Sequence, residues 1–374
     1  MTASRTLPLE APAAAAAAFA IPGELTDVVP YGSGHINDTY AVTFTHRGAN
    51  RRYLLQRINH RVFRDVPALM SNISRVCAHA RARLEAEGAA DLDRRVLTLV
   101  PTRDGQVYHL DEAGLYWRVY LFIEGATGHD VVQSPEQAYA AASAFGRFQR
   151  LLTDLPGERL HETIPDFHHT PKRLAAFDAA LSEDRHNRAA DAAAEIAWLE
   201  AHRGLAGALV SLRERGLVPE RVTHNDTKLN NVLLDDRTQE AVCVIDLDTL
   251  MPGLALYDFG DLVRTSTSPV AEDEPDPSRV TMRLPMFEAL ARGYLDATHD
   301  FLTPAEVESL PLAGQVITLT IGIRFLTDYL QGDRYFKTKH PGHNLQRCRT
   351  QFALVDSMIA QHERMLACVH TAAG

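Results

Sequence analysis

Two grammars divide this chain at Glu124-Gly125. Ahead of that point, between about residues 26 and 123, run short alternating segments: Thr26 to Tyr31, Thr39 to Thr45, Tyr53 to Ile58, Val96 to Val100 and Leu115 to Phe122. Gly32-Ser33-Gly34, Gly48-Ala49-Asn50 and Asp104-Gly105 separate them with turn chemistry. Period-2 alternation joined by tight turns predicts an antiparallel sheet, because parallel neighbours need long crossovers. One helix interrupts it, opened by Asp65 as cap with Pro67 in its first turn and carried by Leu69, Ile73, Val76, Ala80 and Leu84 as far as Gly88. Beyond Gly125 helices dominate. Ser134-Pro135-Glu136-Gln137 and Thr303-Pro304-Ala305-Glu306 are helix openings with a capping serine or threonine, and a terminal helix is expected from about His343 to Val369. The fold class predicted is α+β, in two lobes: an N-terminal tail over 1–20, a small antiparallel β-rich lobe over 21–123 that binds nucleotide, and a larger, mainly helical lobe over 124–374 that holds catalysis and substrate. No internal repeat is visible.

Composition narrows the function classes. With 38 Lys and Arg against 48 Asp and Glu, the chain of 374 residues has a formal charge of −10, so a cationic face for nucleic acid is not expected. Four cysteines, Cys77, Cys243, Cys348 and Cys368, lack C-x-x-C spacing and read as reduced thiols of a cytoplasmic protein. Leu312 to Ile323 is broken by Gln315, Thr318 and Thr320 and followed by Arg324, so no membrane span is expected. Glu10 and Pro12 interrupt any signal-peptide core. The acidic, proline-rich stretch Ala271 to Ser278 reads as a mobile loop.

The sharpest chemistry lies in His224-Asn225-Asp226-Thr227-Lys228-Leu229-Asn230-Asn231, followed by Ile245-Asp246-Leu247-Asp248. Asn231 to Leu234 and Ala241 to Leu247 flank a polar turn and read as a β-hairpin, which brings Asn231 near Asp246. Asp226 suits the role of accepting the proton of an attacking hydroxyl, or orienting it. Lys228 can set an ammonium against a transferring phosphoryl group. Asn231 and Asp246 offer hard oxygens to magnesium. His224 reads as a brace. The spacing H-x-D-x-x-x-x-N, then a strand ending in aspartate, resembles the catalytic and metal loops of kinase-like phosphotransferases. In the first lobe Gly32 and Gly34 sit where backbone N–H groups could close over phosphates, although a G-x-G is also an ordinary turn. Phe122 and Ile123, at the lobe boundary, could face adenine or simply end a buried strand. His161, His168 and His169 read as a solvated loop rather than a metal site, and Asp258 as a brace for the catalytic loop.

Within the aminoglycoside phosphotransferase and choline kinase superfamily, the chain resembles the N-acetylhexosamine 1-kinases. The likeness is carried by Gly34-His35-Ile36-Asn37, Leu55-Gln56-Arg57-Ile58-Asn59-His60, the two loops above with Thr249, Met251-Pro252-Gly253, and Tyr257-Asp258-Phe259-Gly260-Asp261. The resemblance implies a two-lobed protein-kinase-like fold, ATP and magnesium, and transfer to the anomeric hydroxyl of N-acetylglucosamine or N-acetylgalactosamine. It also implies sugar contacts from His35, Asp226, Asp246, Asp248, Arg324 and Tyr335, with metal on Asn231 and Asp246. One departure stands out. The strand lysine that usually grips the nucleotide phosphates is replaced by Gln56 beside Arg57, and its acidic helix partner by Asn72. Arg324 could instead pair with Asp328 one turn along. Two rival readings remain open from residues alone: a kinase of choline, homoserine or an aminoglycoside, and an inactive nucleotide-binding scaffold.

Overall fold

The computed structural model describes residues 10–32 and 36–374. A short helix α1 (Glu10–Ala16) leads into β1 (Glu24–Pro30), β2 (Asp38–His46) and β3 (Ala49–Ile58), then α2 (Val66–Ala86), α3 (Leu92–Arg95), β4 (Leu99–Val100), β5 (His109–Leu110) and β6 (Tyr116–Leu121). The sheet order is β1-β2-β3-β6-β4 with β5 also on β6, and every pairing is antiparallel. Asp65 caps α2 by accepting the Ala68 N–H at 2.9 Å, as its place ahead of Pro67 predicts.

Alternation gives this sheet two faces. Tyr40, Val42, Tyr53, Leu55, Trp117 and Val119 form an outer cluster, completed by Ala15, Ala16, Phe19 and Ile21. Residues 10–21 are therefore not a tail: Phe19, fully buried and bridged to Thr102, seals the outer face of the sheet. An antiparallel sheet with apolar side chains on both faces needs such a cover. The inner face carries Thr39, Gln56 and Arg118 toward α2 and the second lobe.

The second lobe contains β7 (Ala126–Gly128), α4 (Pro135–Leu151), α5 (Thr170–Glu183), α6 (Ala193–His202), α7 (Ala208–Glu214), β8 (Arg221–Thr223), β9 (Val232–Asp235), β10 (Ala241–Val244), β11 (Met251–Gly253) and α8 (Ala255–Ser266). It closes with α9 (Leu284–Thr298), α10 (Pro304–Glu308), α11 (Leu310–Leu330), α12 (His343–Ala360) and α13 (His362–Ala373), so the expected terminal helix is two helices broken at Gln361. Thr303 and Glu306 form a full capping box, but the helix it opens is short and α11 starts afresh at Leu310. Although α11 is long and apolar enough to cross a bilayer, it packs on α5, α8 and α12 with Leu319, Ile323 and Leu326 fully buried. Gly260 permits that packing, since a Cβ there would lie 2.5 Å from the Ala313 carbonyl oxygen.

Two small sheets mount the catalytic residues. In one, β9 and β10 form the expected hairpin with β7 added on the far side of β9; in the other, β8 pairs with β11. Gly253 allows the second, because a Cβ would sit 2.3 Å from Thr223 Oγ1. The stretch 271–278 is anchored rather than mobile. Asp273 accepts from Lys339 Nζ at 2.7 Å and His343 Nε2 at 3.1 Å, and Glu272 pairs with Arg264 and Glu274 with Arg279. Those hydrogen bonds hold the Asp273 carboxyl down at about 2.

Candidate active site

The loop between β8 and β9 is shaped by Asp258, a fully buried side chain in the first turn of α8. Its Oδ2 accepts the His224 N–H at 2.9 Å and the Gln149 amide at 2.5 Å, and its Oδ1 accepts the Asn225 N–H at 2.7 Å. Burial pushes this carboxyl upward, against the pull of His224 and the backbone donors. Asn225 takes a left-handed conformation, φ 65°, one that asparagine tolerates, and its side chain bonds the Thr223 and Thr249 carbonyls. His224 donates Nε2–H to the Ile245 carbonyl at 2.9 Å, leaving Nδ1 to accept the Asp226 N–H at 3.3 Å. Both bracing roles expected of His224 and Asp258 are seen.

The turn so formed presents Asp226. Lys228 Nζ lies 3.0 Å from Asp226 Oδ2, and Asn231 donates its amide to the Asp226 carbonyl at 2.8 Å and to Oδ2 at 3.1 Å. Burial alone would raise the Asp226 carboxyl, but the Lys228 ammonium outweighs it and the net shift is down. For Lys228 burial opposes the charge, and Asp226 with Asp246 holds the ammonium pKa up. Both groups are charged at neutral pH.

Donation by the Asn231 amide leaves its Oδ1 for another ligand. The Ile245 N–H bonds the Asn231 carbonyl at 2.9 Å, which carries Asp246, left-handed at φ 59°, to the same end of the hairpin with its side chain open to the cleft. Burial, then the neighbouring Asp248 and Asp226 charges, push the Asp246 carboxyl up to about 6. A carboxylate destabilised by like charges, beside a free amide oxygen, fits a divalent cation that takes its remaining ligands from phosphate and water. Among the described residues no cluster of three or more His, Cys, Asp or Glu forms a metal site by itself.

Asp248 is a correction. It is 2% exposed, and both carboxylate oxygens are taken, one by Asn37 Nδ2 at 2.6 Å and the other by Arg118 Nη1. It joins the lobes and offers no oxygen to a substrate. Gln56 and Arg57 also differ from expectation as phosphate ligands: Gln56 bonds Thr39 and Arg118, and Arg57 pairs with Asp38 across the strand. Asn72 does not partner Gln56; it holds the His161 and Leu250 backbone. Ile123 packs in the main core, while Phe122 is flanked by the Arg52 guanidinium at 3.9 Å and by Tyr31. Gly32 turns the chain at φ 77°, and Gly34 and His35 lie outside the described residues.

Arg324 does not pair with Asp328, whose carboxylate accepts the Arg334, Tyr335 and Phe336 N–H groups and the Asn344 amide. It stands instead over the rings of Phe167 at 4.9 Å and of Tyr335 and Phe336 at 5.4 Å, with Tyr335 Oη accepting from it at 3.3 Å. Burial pushes the Arg324 guanidinium pKa down, with Arg264 adding to the fall and Tyr335 and Asp261 opposing it.

Two residues of this site were missed by sequence reasoning. Arg118 is buried within an otherwise apolar strand, the one available signal. His168, expected in a solvated loop, is 3% exposed and its Nε2 lies 2.8 Å from the Asn225 carbonyl; burial lowers it to about 4.

A carboxylate on a braced turn, an ammonium 3.0 Å from it and two further side-chain oxygens at the same end of the hairpin are the arrangement of a kinase-like phosphotransferase. The chain belongs to the phosphotransferase enzyme family, which matches it over residues 27–304. Its fold is similar to that of a microcompartment-associated aminopropanol kinase, at 16% identity and TM-score 0.56 over 97% of this chain and 98% of that one. An aminoglycoside phosphotransferase from Alicyclobacillus acidocaldarius subsp. acidocaldarius is similar at 14% identity and TM-score 0.56, covering 100% and 98%. So is a choline kinase from Cryptosporidium parvum, at 13% identity and TM-score 0.55 over 92% of each chain.

Proposed function

We propose that this phosphotransferase moves the terminal phosphoryl group of ATP to the anomeric C1 hydroxyl of an N-acetylhexosamine, giving the sugar 1-phosphate and ADP. The observation that carries the acceptor class is Arg324: a guanidinium walled by three aromatic rings with, among the described residues, no carboxylate in salt-bridge range. That unpaired positive charge repels the ammonium of choline, ethanolamine or aminopropanol, the acceptors named for similar folds. It suits a neutral ring, whose hydroxyls and acetyl carbonyl accept from the fork and whose apolar face lies on Phe167 and Tyr335.

In the reaction the C1 oxygen attacks the γ-phosphorus as the bond to the β-phosphate oxygen breaks. Asp226 orients the hydroxyl and takes its proton, which it can do because Lys228 keeps it ionised. Lys228 offers its remaining donors to the transferring oxygens. Asn231 and Asp246 are the residues that fit magnesium, which when bound neutralises charge on the nucleotide phosphates. Tyr335, half exposed, and Arg324, which donates to its hydroxyl, hold the sugar. ADP release measured with ATP, magnesium and a panel of N-acetylglucosamine, N-acetylgalactosamine, choline, ethanolamine and kanamycin tests the reading. Turnover is expected with the sugars, and phosphorus coupling to the anomeric proton locates the product phosphate at C1. Turnover with the cationic acceptors alone overturns the acceptor class, and coupling to the C6 protons overturns the regiochemistry.

A further inference from the structure

The chain contains no lysine before Lys172, so the first lobe has no lysine anywhere with which to hold nucleotide phosphates. Its strand arginines divide by what they face. Arg57 pairs with Asp38, Arg52 with Glu124, and Arg51 lies over the Tyr53 ring at 5.7 Å. Arg118 alone of these points from the inner face of the sheet into the metal loop. We propose that Arg118, one strand over from the usual position, is the cation that the first lobe supplies to the nucleotide phosphates.

Sheet register makes the transfer possible. Thr39, Gln56 and Arg118 lie directly opposite one another across β2, β3 and β6, so their side chains share one face. They form a continuous chain: Gln56 Nε2 donates to Thr39 Oγ1 at 3.1 Å, and Arg118 Nε donates to Gln56 Oε1 at 3.0 Å. Gln56 thus spends its carbonyl aiming the guanidinium. Arg118 Nη1 reaches Asp248, two residues beyond the metal-facing Asp246, and the arginine's charge acts on Asp246 as well. Nη2 has no hydrogen bond among the described residues. A fixed positive charge with a free donor, beside the residues that would hold magnesium, is placed for nucleotide phosphates. The ion pair that kinases build between a strand lysine and a helix glutamate has both members relocated, the cation to β6 and the acid to the metal loop. Asn72, standing where that glutamate would be, is free to tie α2 to the second lobe.

The inference rests on the ATP half of the proposed function and is independent of the acceptor sugar. The test is calorimetric titration of ADP with magnesium, and of adenosine, against the full chain, with thermal melts alongside. Arg118→Gln, which can still donate to Asp248, should weaken ADP by about 10- to 100-fold and leave adenosine within about twofold. Arg118→Gln with Gln56→Lys, which puts a lysine back at the usual strand position, should recover about tenfold or more of the loss. If Arg118→Gln does not fold, Arg118→Lys carries the same comparison, with ADP weakened and adenosine unchanged. A parallel loss of ADP and adenosine, no loss at all, or no recovery from Gln56→Lys would make Arg118 a strut for Asp248 and overturn the proposal. Wild-type protein that binds no ADP removes the ATP reading and this inference together, whereas failure in the variants alone removes only this one.

Discussion

Replacing Asp258 by asparagine should separate how the catalytic loop is built from what it does. The carboxylate serves three donors, His224 N, Asn225 N and the Gln149 amide, in a site with no access to solvent. An amide can present only one oxygen. Placed at the Oδ1 position its NH2 faces the Asn225 N–H; placed at Oδ2 it faces two donors. The better choice still leaves one buried N–H unpaired and turned toward another donor, a loss of about 1–3 kcal/mol, with about 1 kcal/mol more for exchanging charge-assisted bonds for neutral ones. A total near 2–4 kcal/mol corresponds to a fall in Tm of roughly 3–5 °C for a chain of this size. The unpaired group is the Asn225 N–H or its neighbour, so the left-handed turn that aims Asp226 loosens and kcat should fall at least about tenfold. ADP affinity should stay near wild type, because no donor of the nucleotide site is touched. A calorimetric melt, steady-state kinetics and an ADP titration on one preparation check all three. Asp258→Asn protein with unchanged Tm and unchanged kcat would refute the brace.

Asp226→Asn should keep the fold and ADP binding and lower kcat by about 10²–10⁴-fold, since the amide cannot take the proton; near-normal turnover removes Asp226 from the chemistry. Asp246→Ala should raise the magnesium requirement more than Asn231→Ala, because it deletes the charged ligand of the two; identical magnesium titrations in both variants and wild type end the clamp assignment. Arg324→Leu should raise the sugar KM by about tenfold or more and leave the ATP KM and Tm almost unchanged, and an unchanged sugar KM refutes the pocket. His168 is buried and lowered to about 4, so the unfolded chain binds its proton more readily. Its share of stability is complete above about pH 6.5 and is lost, by roughly 3 kcal/mol, as pH falls toward 4; unfolding curves of His168→Gln should lack that share, and superimposable pH profiles contradict it.

What the sequence disclosed follows from how far apart the cooperating residues lie. His224, Asp226, Lys228 and Asn231 meet within one turn and its hairpin, so their spacing carries their geometry, and the bracing Asp258 follows soon after on the same side of the fold. Arg118 meets Asp248 across 130 positions, and its meaning depends on being opposite Gln56 in register, which strand alternation cannot supply. Asp248 is illegible for the complementary reason: residue type says what a carboxylate can bind, and only the fold says that Asn37 and Arg118 already occupy it. The alanine-rich start and the 271–278 loop misled through composition. Phe19 and Ile21 cover a sheet face, and the loop's acids find Arg264 near the end of α8, His343 at the start of α12 and Lys339 just ahead of it.

The same contacts tie the site to both lobes. Asp226 is held by groups of the second lobe alone, through Asp258, Gln149, His224 and His168. The metal loop is held from both lobes, from the first through Asn37 and the row Thr39, Gln56 and Arg118 that ends on Asp248, and from the second through His224 on the Ile245 carbonyl and Asn225 on the Thr249 carbonyl. A movement of the small lobe over the large one would therefore load first onto Asp248, the residue on which the first-lobe contacts converge, and pass from there to the catalytic turn through His224 and Asn225.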